Sequence, residues 1–300
     1  MRLRSNSKRQ KAKGKRRIRS WFPSGGQGWV GNKYKPFILI NSLDFINIKQ
    51  HIYMRSRLII SSLLIVFAIS LSAAEKPAKE IRVLVITGGH DYQKDKFNEM
   101  FRSLGENITY SIAELPAAYS MFLPENRSSY DVLVFYHMWQ SITPEQARSF
   151  SECIREGKPL VALHHSICAF DDWPEYFKII GGKYFHKPTV VDGKEYPACS
   201  YQHDLHFKVR IADKKHPVTR GLKDFEIFDE TYKGYYIEPG VTPLLSTTES
   251  TSVPVIGWAK NYGKARVVTL QSGHDVPTFE NPSYRTLLRQ AVEWVYNEGR

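Results

Sequence analysis

Three histidine motifs each stand directly behind an apolar β-type run: Gly88-Gly89-His90-Asp91, His164-His165-Ser166 and Gly273-His274-Asp275. In an open α/β sheet, chemistry gathers outside the carboxyl ends of the strands, so three such ends carrying imidazole point to one shared site. Imidazole placed there can ligate a metal, move a proton or cap a turn, and His90 leaves all three roles open. The preceding Gly88-Gly89 lets the backbone turn tightly off its strand and approach a ligand. Phe228-Asp229-Glu230-Thr231 reads as a further strand end, this one with two carboxylates. Carboxylates serve as metal ligands, as partners of a ligating histidine or as general bases, and Asp229 would also suit a plain capping role.

His164-His165-Ser166 occupies the place of a nucleophile elbow, but the Gly-x-Ser-x-Gly pattern is absent, which argues against Ser166 as a nucleophile. Adjacent histidines on a turn are expected to point in different directions, so one of His164 and His165 should enter the site while the other packs or orients it. His186, His203 and His206 add candidates from a long insertion, whereas His216, ahead of Pro217, reads as structural. No spacing matches a zinc signature such as His-Glu-x-x-His. Aromatic residues crowd the same segments, among them Trp139, Trp173, Tyr184 and Tyr232. Flat apolar faces beside Asp, Glu and His are what a sugar ring requires; most of these aromatics belong to the core, and two or three are expected to line a pocket.

The elements that must hold these residues follow from periodicity. The apolar runs 81–86, 108–113, 131–136 and 159–163 read as buried strands. Helical spacing of Phe97, Met100, Phe101 and Leu104 follows the first, and Thr143-Pro144-Glu145 opens a helix that ends at Gly157. This alternation predicts right-handed crossovers and an α/β, flavodoxin-like fold, a mostly parallel sheet with helices on both faces. Short strands at 207–212, 225–228, 242–246, 253–259 and 265–270 predict extra mixed or antiparallel pairing in the second half. A final amphipathic helix over 283–296 turns Leu287, Leu288, Ala291, Val292 and Val295 inward.

The net charge of +12 misleads until the chain is divided. Residues 1–53 carry thirteen Lys or Arg against the single acid Asp44, whereas residues 75–300 hold 27 basic and 29 acidic residues. The basic balance is therefore a property of the leader, and nucleic acid is not an expected partner. From Met54, Arg55 and Arg57 form a positive n-region, Leu58 to Leu71 an apolar h-region and Ser72-Ala73-Ala74 a small-residue cleavage site. The expectation is thus a basic, disordered or mis-assigned upstream extension at 1–53, a signal peptide at 54–74 and one domain at 75–300, periplasmic or secreted, with no membrane contact after cleavage. Cys153, Cys168 and Cys199 are too few and too unevenly spaced for a disulfide framework.

Taken in order, Gly88-Gly89-His90-Asp91, Leu163-His164-His165-Ser166-Ile167, Trp173-Pro174-Glu175-Tyr176 with Ile180-Gly181-Gly182, Asp229-Glu230-Thr231-Tyr232, Tyr262-Gly263-Lys264-Ala265-Arg266-Val267 and Gly273-His274-Asp275 resemble the ThuA-like (trehalose-utilisation) family. The resemblance spans residues 80–298. It implies a flavodoxin-like fold related to the class I glutamine amidotransferases and a role in sugar catabolism, in particular of glycosides oxidised to 3-keto derivatives. The amidotransferase elbow cysteine is replaced by His164-His165, with Cys168 three residues beyond, so glutamine hydrolysis is disfavoured.

The resulting expectation is an exported, metal-assisted enzyme that cleaves or isomerises a 3-keto-glycoside by acid–base chemistry. A divalent transition metal is assigned to His90, His164 or His165, and His274. Asp229 or Glu230, with His165, supplies catalysis, and Trp173, His186, His203 and Tyr232 contact the substrate. The expected partner is a small carbohydrate, with homo-oligomerisation left open. The alternative on the same residues is a non-catalytic carbohydrate-binding protein or a partner subunit on an amidotransferase-like fold.

Overall fold

The computed structural model describes residues 49–57 and 79–297. The chain forms two compact units, Met1–Ala74 and Glu75–Arg300. In the first, residues 49–57 are helical and exposed. The apolar stretch 58–71 and the cleavage site 72–74 of the expected signal peptide lie outside the described residues, as does nearly all of the basic extension. Among the described residues, no helix is long and apolar enough to cross a membrane.

The second unit begins with β1 (Ile81–Gly88), α1 (Lys94–Arg102), β2 (Ile108–Glu114), β3 (Val132–His137), α2 (Pro144–Arg155), β4 (Leu160–Leu163) and α3 (Pro174–Ile180). Two short ribbon strands follow, β5 (Gly182–Lys183) and β6 (Thr189–Val191), then β7 (Lys194–Tyr196), which pairs with β6. The chain continues through β8 (Ser200–Ile211), β9 (Phe225–Lys233), β10 (Tyr236–Ile237), β11 (Thr242–Ser246), β12 (Val255–Tyr262) and β13 (Ala265–Leu270), and ends in α4 (Val276–Glu280) and α5 (Pro282–Tyr296). The main sheet runs β2-β1-β3-β4-β13-β12-β11-β8-β9. Its first five strands are parallel and the remaining four antiparallel.

Both faces of the parallel half are covered, which is why its strands read as unbroken apolar runs. Val83, Val85, Val132, Val134 and Val161 point to a core closed by Phe97, Met100 and Phe101 of α1 and by Leu288 and Val292 of α5. Their neighbours Leu84, Ile86, Leu133, Phe135 and Leu160 point the other way, against Phe150 and Ile154 of α2 and Ile179 and Ile180 of α3. The period of two along each strand thus assigns successive residues to opposite layers. The start of α2 follows its sequence signal: Thr143 Oγ1 accepts from Gln146 N at 3.3 Å, and Gln146 Oε1 accepts from Thr143 N at 2.9 Å.

The main departure from the sequence reading is the β8–β9 hairpin. β8 begins at Ser200, seven residues earlier than periodicity places it, and β9 continues to Lys233. Asp229 and Glu230 therefore lie in mid-strand, not at a strand end. A bulge between Gln202 and Leu205 breaks the hairpin register, and bulges bend the strand that carries them. The hydrogen bond from Gln271 Nε2 to Glu230 O, 2.8 Å, ties the bent hairpin to the segment that leaves β13.

Candidate functional site

The carboxyl ends of β1, β3, β4 and β13 open onto a cavity of about 150 Å³, with His90, His164, His165, His203, His274 and Glu230 in its lining. The site is thus at the place the topology predicts, where parallel strands end. Two glycines make it reachable. Gly89, at φ +77°, passes so close to Met138 that a Cβ would sit 1.7 Å from the Met138 carbonyl oxygen, and at Gly273, φ +130°, a Cβ would sit 2.7 Å from Tyr284 Oη.

His164 follows β4 directly and adopts φ +49°, a left-handed conformation rare for a residue with a Cβ. Such strain at a strand-to-turn elbow is a feature of functional positions. His164 is the first residue of a 3-10 turn, His164–Cys168. Because of this twist, successive side chains do not alternate, and both His164 and His165 line the cavity. The expectation that only one of the pair enters the site is corrected.

The inner cluster is built around His164. Its Nδ1 lies 2.8 Å from the Gln271 carbonyl oxygen, which can only accept, so Nδ1 carries the proton and Nε2 faces the site. Around Nε2 stand Glu230 Oε2 at 3.0 Å, Tyr232 Oη at 3.0 Å and His274 Nδ1 at 3.1 Å. Glu230 Oε2 is also 3.3 Å from His274 Nδ1. The ligand atoms of His164, Glu230 and His274 all fall within 4.8 Å of one another. Burial by itself would raise the Glu230 carboxyl, but its close contacts with the His164 and His274 rings outweigh it and hold the group well below the usual carboxylate range. Burial lowers His274, and its contact with Glu230 reverses that into a net rise.

The other sequence candidates take distinct places. Asp229 is an anchor: Oδ1 accepts from Glu230 N and His274 N, both at 2.9 Å, and Oδ2 accepts from Gly273 N at 2.8 Å. With its oxygens occupied by backbone donors, it holds the His274 loop and does not face the cavity as a base. His165 is 2 % exposed, neither ring nitrogen has a hydrogen-bond partner among the described residues, and burial drives it well below its ordinary value. His90 meets it edge-on at 4.7 Å between ring centroids and lies outside the three-ligand cluster. Burial also lowers His90, favouring the neutral ring. His203 Nε2 is 3.6 Å from Glu230 Oε1, and Tyr232 stacks on His164 at 5.1 Å. His186 sits at the cavity rim, whereas Trp173 packs on Phe150 and lines a separate, larger groove.

Several residues were not singled out in the sequence. His137 ends β3, is fully buried beside Phe135 and Phe170, and follows an apolar run as the chosen histidines do, so the same signal marks it. Gln271, Asp171 and Lys183 contribute through contacts that no local pattern announces. Cys168 lines the cavity, yet burial pushes its thiol well above its ordinary value, so it is a poor nucleophile.

The family model described as "ThuA: Trehalose utilisation" matches residues 82–295. The chain belongs to the ThuA-like family. Membership implies a role in trehalose utilisation. A ThuA-like protein of Parabacteroides merdae ATCC 43184 aligns in structure with a TM-score of 0.58 and 23 % identity, over 73 % of this chain and 91 % of that one. Another from Bacteroides uniformis ATCC 8492 gives 0.59 and 19 %, over 76 % and 96 %. A cytoplasmic protein of Salmonella typhimurium LT2 aligns at 0.50 and 11 %, over 71 % and 99 %. These likenesses establish the ThuA-like fold. No curated protein matches.

Proposed function

We propose that this ThuA-like protein is a carbohydrate-directed enzyme that cleaves or isomerises a 3-keto-glycoside with the help of a divalent metal. The observation that carries the reading is the inner cluster. His164 Nε2, Glu230 Oε2 and His274 Nδ1 converge within 3.3 Å, and the Gln271 carbonyl already fixes the proton of His164 on the far nitrogen. Electron-rich atoms so close must share a proton or a cation, and two imidazoles with one carboxylate suit a transition metal that keeps open positions. The Gln271 carbonyl then orients His164 as a ligand's outer partner does. A cation held there would act as a Lewis acid toward a sugar ketone oxygen.

The remaining residues divide the acid–base work. A ketone at C3 acidifies the C2 proton, and removal of that proton allows the C1–O bond to break, leaving a C1–C2 double bond and an alcohol once the leaving oxygen is protonated. His90 is assigned as the base: it faces the cavity, stands outside the ligand cluster and is held toward its neutral form. This departs from the sequence expectation of Asp229 or Glu230, since Asp229 is saturated by backbone donors and Glu230 belongs to the cluster. Tyr232, which burial keeps un-ionised, stacks on the His164 ring. Export through the segment 54–74 is part of the same proposal, and rests on its charge and apolar pattern.

The test is elemental analysis of the purified protein before and after chelation, paired with turnover of a 3-keto-glycoside. About one transition-metal ion per chain, lost together with activity in His274→Ala, is the expected result. Saturable sugar binding with no product under any metal would replace the enzyme by a carbohydrate-binding protein.

A further inference from the structure

The inner cavity, at about 150 Å³, is smaller than the roughly 300–1,000 Å³ typical of small-molecule sites. It has room for the reacting end of a sugar and not for a disaccharide. Beside it runs a groove of about 860 Å³. Trp139 and Cys168 line both spaces, so the two are adjacent across the Trp139 indole. The groove's lining mixes Trp139 and Trp173 with Arg148, Glu152 and Asp172, a combination of flat apolar faces and hydrogen-bonding groups.

Trp139 is held in a way that core packing does not require. It is 63 % exposed and adopts φ +45°. Its indole N–H donates to His186 Nε2 at 3.0 Å. An indole nitrogen only donates, so His186 Nε2 must accept and its proton resides on Nδ1, which donates to Asp171 Oδ2 at 2.8 Å. Asp171 in turn accepts from Lys183 Nζ at 2.6 Å. Lys183 is 2 % exposed and donates a second bond to the Ala169 carbonyl at 2.8 Å. A buried lysine, a carboxylate and a histidine thus form one chain whose end point is the orientation of an exposed aromatic ring. The edge of the indole is consumed by this chain and a face is left to solvent.

We propose that the groove is the subsite for the second ring of a disaccharide, with Trp139 as its stacking platform and His186, Asp171 and Lys183 as positioning residues. The proposal rests on the reading of the inner cavity as a carbohydrate site. It also changes the part given to His186, which acts through Trp139 because both ring nitrogens are already engaged.

The experiment compares trehalose with methyl α-glucoside, a one-ring probe, by calorimetric titration of the intact protein, with melting temperature as the folding control. The expected result is that trehalose binds about tenfold tighter than the one-ring probe, on the order of 1.4 kcal/mol, and that in Trp139→Ala this ratio collapses toward one. His186→Leu should lower the ratio, and His186→Gln, which keeps an acceptor for the indole N–H, should restore most of it. Equal affinity of the wild type for both sugars would overturn the subsite while leaving the inner carbohydrate site standing. A Trp139→Ala change that weakens both sugars by the same factor would also overturn it. Failure of the wild type to bind either sugar or their 3-keto derivatives would remove the inner-site reading, and this proposal with it.

Discussion

The side chain of His164 donates from Nδ1 to the main-chain carbonyl of Gln271 at 2.8 Å, and through that bond the end of β4 is locked to the end of β13. The two strands are direct neighbours, pairing Leu163 with Leu270, so the contact is a product of the sheet's register. Its chemical effect is to aim Nε2 at Glu230 and His274, and any ligand role for His164 depends on it.

A first prediction concerns the cluster. Glu230→Gln removes the one carboxylate between the two imidazoles, so metal retained through dialysis by the wild type should be lost from the variant in elemental analysis. With metal at about a hundred times its dissociation constant, the wild type gains about 2.7 kcal/mol, a rise of roughly 5–10 °C in melting temperature for a domain of this size. The variant should show no such rise. An equal rise in both proteins would remove Glu230 from the ligand set.

Asp229 should behave differently from its neighbour. Asp229→Asn replaces one carboxylate oxygen by an NH₂ group facing backbone N–H donors of Glu230, Gly273 or His274. Loss of a charge-assisted bond of this kind costs about 1.5–3 kcal/mol, read as a lower denaturation midpoint. The His274 loop shifts with it, so metal affinity should weaken without a change in the pH profile of the reaction. A shifted profile would return Asp229 to the role of base.

The backbone of the site is equally testable. In Gly89→Ala the new Cβ would meet the Met138 carbonyl, which is main chain and cannot swing away, at a φ of +77°. Strain and overpacking, each about 1–3 kcal/mol, should lower chemical stability by about 2–6 kcal/mol. A loss below about 0.5 kcal/mol, the ordinary scatter of a surface substitution, would show that the turns after β1 and β3 do not approach as described.

How far the site was legible depended on what local pattern encodes. Apolar runs marked β1, β3, β4 and β13, and the parallel half places their ends side by side, so His90, His164 and His274 could be grouped from the sequence alone. Glu230 was found by its chemistry but misplaced, because the bulged β8–β9 hairpin bends a mid-strand residue toward the site and hydrophobic alternation carries no sign of that bend. The two histidines were wrongly separated because the left-handed φ of His164 cancels the usual alternation. The Asp171, His186 and Trp139 chain joins three different loops: residue type alone marks His186 and Trp139, but no local pattern announces Asp171 or the bonds that connect the three.

Acid stability provides a prediction away from the ligand cluster. Burial lowers the His137 ring from 6.5 to about 3, and neither ring nitrogen has a partner among the described residues. A histidine whose folded value is depressed binds fewer protons when folded than when unfolded. Its contribution is therefore fully present above about pH 6.5 and is lost progressively as pH falls toward 3. At 1.36 kcal/mol per pH unit, that loss is on the order of 5 kcal/mol. His137→Phe, which keeps a ring beside Phe135 and Phe170, should flatten the fall in urea-denaturation stability between pH 6.5 and 4. An unchanged slope would mean that the ring is not held neutral.

The assignment of His90 separates binding from proton transfer. His90→Gln leaves His164, Glu230 and His274 intact, so bound metal and melting temperature should match the wild type. A general base contributes about 10²–10⁴ in rate, so kcat on a 3-keto-glycoside should fall by that factor with KM nearly unchanged, and loss of the C2 proton should become the slow step. Deuterium at C2 would then produce a larger isotope effect on kcat in the variant than in the wild type. Loss of the metal from His90→Gln would instead make His90 a ligand, and full activity would move the base to another residue of the cavity.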